Sequence, residues 1–137
     1  MRMRALAILV LLGFMFAIID AGMLFWTYVT LENGITEATR FAATNQTLAD
    51  PGNPGNQLSR VDSIKLTMRT ESNGIPIADG EFVFFNITKG TADPGAPNDI
   101  IKITVNHPFT LPFPILFPGA GRNFDIHVSS TMKNEPV

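Results

Sequence analysis

Twenty-two positions from Ala5 to Trp26 run apolar, with Asp20 as the one charged interruption. At about 1.5 Å per residue, a helix of that length reaches about 33 Å and can cross a bilayer. The helical pattern continues beyond the run. Leu24, Tyr28, Leu31, Ile35, Ala38 and Ala42 recur at alternating spacings of four and three, which puts them on one helix face. The pattern predicts one N-terminal helix over 1–45, transmembrane over about 5–26, whose outer half presents an apolar stripe beyond the membrane.

Turn-formers and helix breakers then crowd Ala49 to Asn56, so 46–58 reads as a linker or loop and 59–137 as a small head. Past this point the period changes to two. Ile64, Leu66 and Met68 alternate with Lys65, Thr67 and Arg69, the pattern of a half-buried strand. Asn73-Gly74 and Asp79-Gly80 mark turns around Ile75-Pro76-Ile77, and Glu81 to Thr88 forms a second strand. Ile101, Ile103 and Val105 define one face of a third strand. Phe124, Ile126, Val128, Ser130 and Met132 define one face of a fourth. The fold class expected is α+β: a long transmembrane helix extended into a head with a roughly four-stranded antiparallel sheet. Such a sheet needs a cover, and the helix offers Ile35, Ala38, Phe41 and Ala42 for it.

Composition narrows the function classes. The chain has 137 residues, a net charge of −2 and no cysteine. A head of roughly 75 to 90 residues buries only a modest core. The near-neutral balance gives no electrostatic case for nucleic acid, and thiolate chemistry and disulfides are excluded. All ten prolines follow residue 50, which suits short elements joined by turns.

Arg2 and Arg4 precede the apolar run, and the next basic residue is Arg40. The positive-inside rule then places the N-terminus in the cytoplasm and the head across the membrane, with Trp26 and Tyr28 as an interfacial anchor. The competing reading is a signal peptide cut near Ala21 or Gly22. Ile19 and Asp20 are poor small-residue flanks for such a cut, and the helical period runs straight through it. A retained single-pass anchor is the expectation.

Three groups of residues invite a contact role. Asp20 lies in the apolar run, where a carboxyl tends to be functional; it either meets a basic group or amine on a neighbouring helix or sits near enough to the interface to reach water. Leu24, Tyr28 and Leu31 continue that face close to the membrane, where a partner helix is expected. Phe109, Phe113 and Phe117 belong to an apolar Phe109–Pro118 loop, which is either a contact site or the filling of the core's end. His107 and His127 have no acidic cluster at ligand spacing, and neither a nucleophile elbow nor a phosphate loop occurs. No metal, cofactor, small-molecule substrate or catalysis is expected. Asn45-Gln46-Thr47 and Asn86-Ile87-Thr88 match the short glycosylation pattern.

The front of the chain resembles a family. Asp20 and Gly22 close the apolar run, Phe25-Trp26 follow as an aromatic pair, and the helix ends on Glu37-Ala38-Thr39-Arg40-Phe41-Ala42-Ala43. This order resembles the N-terminal segment of TadE-like proteins. Ile103-Thr104-Val105-Asn106-His107-Pro108-Phe109 and Ser129-Ser130-Thr131-Met132-Lys133-Asn134-Glu135 resemble that family's closing strands. The resemblance implies a pseudopilin-like, inner-membrane structural component of tight-adherence pilus assembly. Its partners would be other pilin-like subunits and an assembly platform. Family members typically carry a leader cut by a prepilin peptidase and an acidic residue early in the mature helix; that position falls near Met3 here, so an unprocessed member or a later-placed start is expected. The alternative reading is a membrane-tethered extracytoplasmic binding module outside any filament.

Overall fold

The computed structural model describes residues 2–113 and 123–136. Helix α1 spans Arg2–Ala43, 42 residues in one piece, which at about 1.5 Å per residue is about 63 Å long. By length and composition it can cross a membrane. Its first half exposes Leu6, Leu9, Phe14, Ile18 and Phe25 among other large apolar side chains, and its second half is built into the head. The helix ends where Asn45 turns left-handed, at φ 55°. Its last carbonyls are satisfied from elsewhere in the chain. Arg60 donates to the Ala42 carbonyl at 2.9 Å, and the Glu135 N–H donates to the Ala43 carbonyl at 2.8 Å. Both serve groups that a helix end otherwise leaves unpaired.

Strands β1 (Ala49–Asp50) and β2 (Asn53–Gln57) form a small antiparallel hairpin in the stretch expected to be linker. Helix α2 follows at Arg60–Glu71. This corrects the strand expected at Ile64–Met68. The alternation of Ile64, Leu66 and Met68 is real, but the same residues satisfy a helical period in which Ile64 and Met68 share a face. Both are fully buried, while Leu66 is only half-buried. Local chemistry settles the choice: the Ser59 side chain accepts from the Asp62 N–H, an N-cap that starts a helix. Asn73 and Gly74, both at positive φ, terminate that helix rather than turning a hairpin.

A short 3-10 turn at Asp79–Glu81 leads into β3 (Phe82–Asn86), followed by β4 (Ile100–Thr110) and β5 (Asn123–Lys133). The sheet is antiparallel in the order β3-β4-β5. It therefore has three strands, with the β1–β2 hairpin separate, rather than the four expected; the missing strand is α2. Register places Phe82 opposite Val105 and Val105 opposite Val128. Side chains alternate as the sequence pattern requires: Ile101, Ile103, Val105, Ile126 and Val128 are buried, and their neighbours face out. Helix α1 packs against β4 and β5, and α2 packs against α1. Leu31, Ile35, Ala38 and Ala42 of α1, with Ile64 and Met68 of α2, form one core cluster with the sheet. The helices approach closely at Gly34, where an added Cβ would lie 2.6 Å from Ser72 Oγ and 3.2 Å from Met68 Sδ.

The β3–β4 connection is organised around buried Asn86. Its side-chain amide donates to Asp99 at 2.8 Å and Asp93 at 3.1 Å, and its carbonyl oxygen accepts from the Lys89 N–H. The Ala96 N–H and Lys89 Nζ also meet Asp99, at 2.8 and 3.0 Å. These donors, the Ala96 N–H foremost and then Asn86 and Lys89, hold the Asp99 carboxyl down to about 2. The glycosylation pattern at Asn86 is thereby spoken for: its amide is fully buried and engaged.

Candidate functional site

The candidate surface is the first two-thirds of α1 together with what the head lays against it. One face of the helix is covered at Ala17, Asp20, Thr27, Leu31, Ile35, Ala38 and Ala42, with Leu24 half-buried on the same line. Every spacing is three or four, so this is one continuous stripe. It begins a full two turns before the face that the sequence pattern marked. Thr27, not Tyr28, occupies the stripe, its hydroxyl satisfied by the Met23 carbonyl at 2.9 Å.

The contact residues expected from sequence separate into distinct groups. Ile35, Ala38 and Ala42 lie in the core beneath the sheet, and Phe41 packs partly against it. Leu31, expected to face a partner helix, is fully buried in the same core; this is a correction, and α2 and the sheet reach far enough down α1 to enclose it. Asp20, likewise expected to meet a neighbouring helix, is covered by the chain's own head. Its Oδ1 accepts the backbone N–H of Phe113 at 3.1 Å. Tyr28 remains 42% exposed. With Leu24, Ala21, Phe25, Phe124 and Ile126 it lines an open groove between the helix and the start of β5.

Of the apolar loop residues, Phe109 packs partly against the core. Phe113 stacks on Phe16, ring centroids 4.6 Å apart, and keeps an exposed edge. Phe117 lies outside the described residues. The sequence reading missed Phe16 and Ala17 as head contacts. Their signal was present: Ala17, Asp20, Leu24, Thr27 and Leu31 already follow the three-and-four period, hidden because every position around them is apolar too.

Polar clusters elsewhere are structural. His107 Nδ1 lies 2.7 Å from Glu81 Oε2, both side chains largely buried, and ties β4 to the turn before β3. Asp79 receives Arg69 and Lys65 at 2.8 and 3.3 Å, which keeps its carboxyl below the usual range. Lys65 and Arg69 also flank the Phe82 ring. Among the described residues, no group of three or more His, Asp or Glu side chains could hold a metal ion.

No curated protein and no solved structure matches the chain. The tail segments 103–109 and 129–135 lie outside the family match, which covers α1 from Ala5 onward and ends just before the hairpin. The family model described as TadE-like protein matches residues 5–48, so that N-terminal segment is similar to TadE-like proteins.

Proposed function

We propose that this chain is a membrane-anchored, pseudopilin-like structural component of tight-adherence pilus assembly. The observation that carries the reading is a coincidence of extents. The TadE-like match over residues 5–48 coincides with a single helix that is lipid-like on its surface at one end and cored into a head at the other. The helix roots the protein in the inner membrane, with Arg2 and Arg4 on the cytoplasmic side. The head stands on the opposite side. Neighbouring pilin-type helices pack against the faces of α1 that the head leaves open, and the groove at Leu24 and Tyr28 is where such a helix meets both α1 and β5.

The chain has no native cysteine, so a single Tyr28→Cys substitution gives a clean crosslinking handle. In cells assembling pili, the reading expects a maleimide photocrosslinker attached at Tyr28→Cys to capture another pilin-type subunit on illumination, and the protein to accompany sheared filaments or a sibling pseudopilin. Recovery as an uncrosslinked membrane protein, with no such companion, would favour a tethered binding module instead.

A further inference from the structure

Among the described residues, helix α1 is free of the head only up to Phe16, where Phe113 stacks. Residues 5–15 amount to 11 positions, about 17 Å of helix. Counting from Arg2 raises this to about 21 Å. The hydrocarbon core of a bilayer is about 30 Å thick, and tilt only increases the length required. The span must therefore extend past Asp20, into the stretch that the head already covers. The apolar residues exposed there, Ile18, Ile19, Met23, Phe25 and Trp26, fit that placement.

We propose that Leu111–Phe113, the corner leaving β4, is a second membrane-contacting element, submerged beside α1 in the leaflet on the head's side with Phe113 against acyl chains. The inference rests on α1 being the span, as proposed above. Its chemistry suits hydrocarbon. Leu111 is buried, Phe113 is 40% exposed and stacked on Phe16, and Pro112 brings no N–H. A backbone N–H in lipid must find a partner inside the protein. The Phe113 N–H finds Asp20 Oδ1 at 3.1 Å, and the same bond gives the intramembrane carboxyl a donor. Asp20 is thus an internal strut that seats the corner on the helix.

The test uses the full chain in phosphatidylcholine vesicles. Trp26 is the single tryptophan, so Trp26→Phe provides a silent background. Single reporters are then placed as Phe14→Trp in the span, Phe113→Trp at the corner and Phe85→Trp on the head. Phe85 pairs with Lys102, about 30 Å along β4 from the corner at about 3.3 Å per residue. Bromine on the acyl chains is expected to cause comparable loss of emission at positions 14 and 113, with aqueous iodide quenching only position 85. Pro112→Trp is the second corner reporter and is expected to behave like position 113, which keeps the test decisive if Phe113→Trp does not fold. Iodide quenching at both corner positions, with position 14 still lipid-quenched, would overturn the inference and leave the anchor standing. Iodide quenching at position 14 would instead remove the anchor, and the inference with it.

Discussion

The backbone N–H of Phe113 donates to Oδ1 of Asp20 at 3.1 Å, joining the two residues across 93 positions of sequence. This bond turns the one acidic residue of an apolar run from a free group into part of the head's attachment. Asp20→Asn keeps an acceptor oxygen and should preserve the contact. Asp20→Ala removes it and leaves a half-buried N–H without its acceptor, at a cost of about 1 kcal/mol. Amide exchange at Phe113 should then accelerate severalfold in Asp20→Ala and little in Asp20→Asn. Equal acceleration in both would show that the bond does not hold the corner.

Helices α1 and α2 approach closely at Gly34. Alanine favours a helix interior over glycine by about 1 kcal/mol, so an exposed site would gain from Gly34→Ala. Here the new Cβ would meet Ser72 Oγ at 2.6 Å and the Met68 carbonyl at 3.3 Å, and overpacking of this kind costs about 1–3 kcal/mol. Thermal unfolding in detergent should show a lowered midpoint for Gly34→Ala, partly restored by adding Ser72→Ala, which deletes the nearest atom. A raised midpoint would mean that the helices separate easily.

Arg60 joins the end of α1 to the β3–β4 connection, donating to the Ala42 carbonyl and, at 2.7 Å, to the Gly95 carbonyl. Burial pulls its guanidinium pKa downward. Arg60→Ala should destabilise the head by about 1.5–3 kcal/mol, the range for hydrogen bonds from a charged group. Arg60→Lys should recover only part of this, because one ammonium does not span both carbonyls. Denaturant unfolding of the full chain checks the order wild type, lysine, alanine.

Asp99 makes the head sensitive to acid. Its carboxyl is held down to about 2 in the folded chain, against about 3.9 when unfolded. A depressed folded pKa contributes stability that is fully present above the unfolded value and is lost as pH falls through the folded one. The melting midpoint should therefore hold steady above about pH 5 with respect to this group and fall between about pH 4 and pH 2. Asp99→Asn should lower stability at neutral pH and flatten that acid slope. An unchanged slope would mean that Asp99 is not a principal source of it.

What the sequence made legible follows from which patterns had a single solution. The inward faces of β4 and β5 were readable because Ile101, Ile103, Val105, Ile126 and Val128 alternate cleanly with polar residues. The stretch Arg60–Glu71 was misread because three apolar residues at spacing two also fit a helix. The Ser59–Asp62 cap, which discriminates between the two, lay just outside the alternating run. The partner face was misplaced for a different reason. In a run where every residue but Asp20 is apolar, the three-and-four period that Ala17 follows has too little contrast to stand out, and Phe16 lies off that line. Leu31 looked free because the reach of α2 down the helix is a tertiary fact with no local signature. Asp20 drew attention as the one carboxyl in an apolar run, and its partner is a backbone amide 93 residues away, which no short-range pattern encodes.

The account stands on α1 remaining in the membrane as part of the mature protein. The most direct test is the intact mass of the chain recovered from alkali-washed membranes, combined with protease digestion from the head's side. The account predicts a membrane-retained species whose mass includes residues 5–26 and whose head is accessible to protease. A species beginning near Gly22 and released by the wash would contradict it, since cleavage there removes both Phe16 and Asp20, the two residues on which the Phe113 corner is seated.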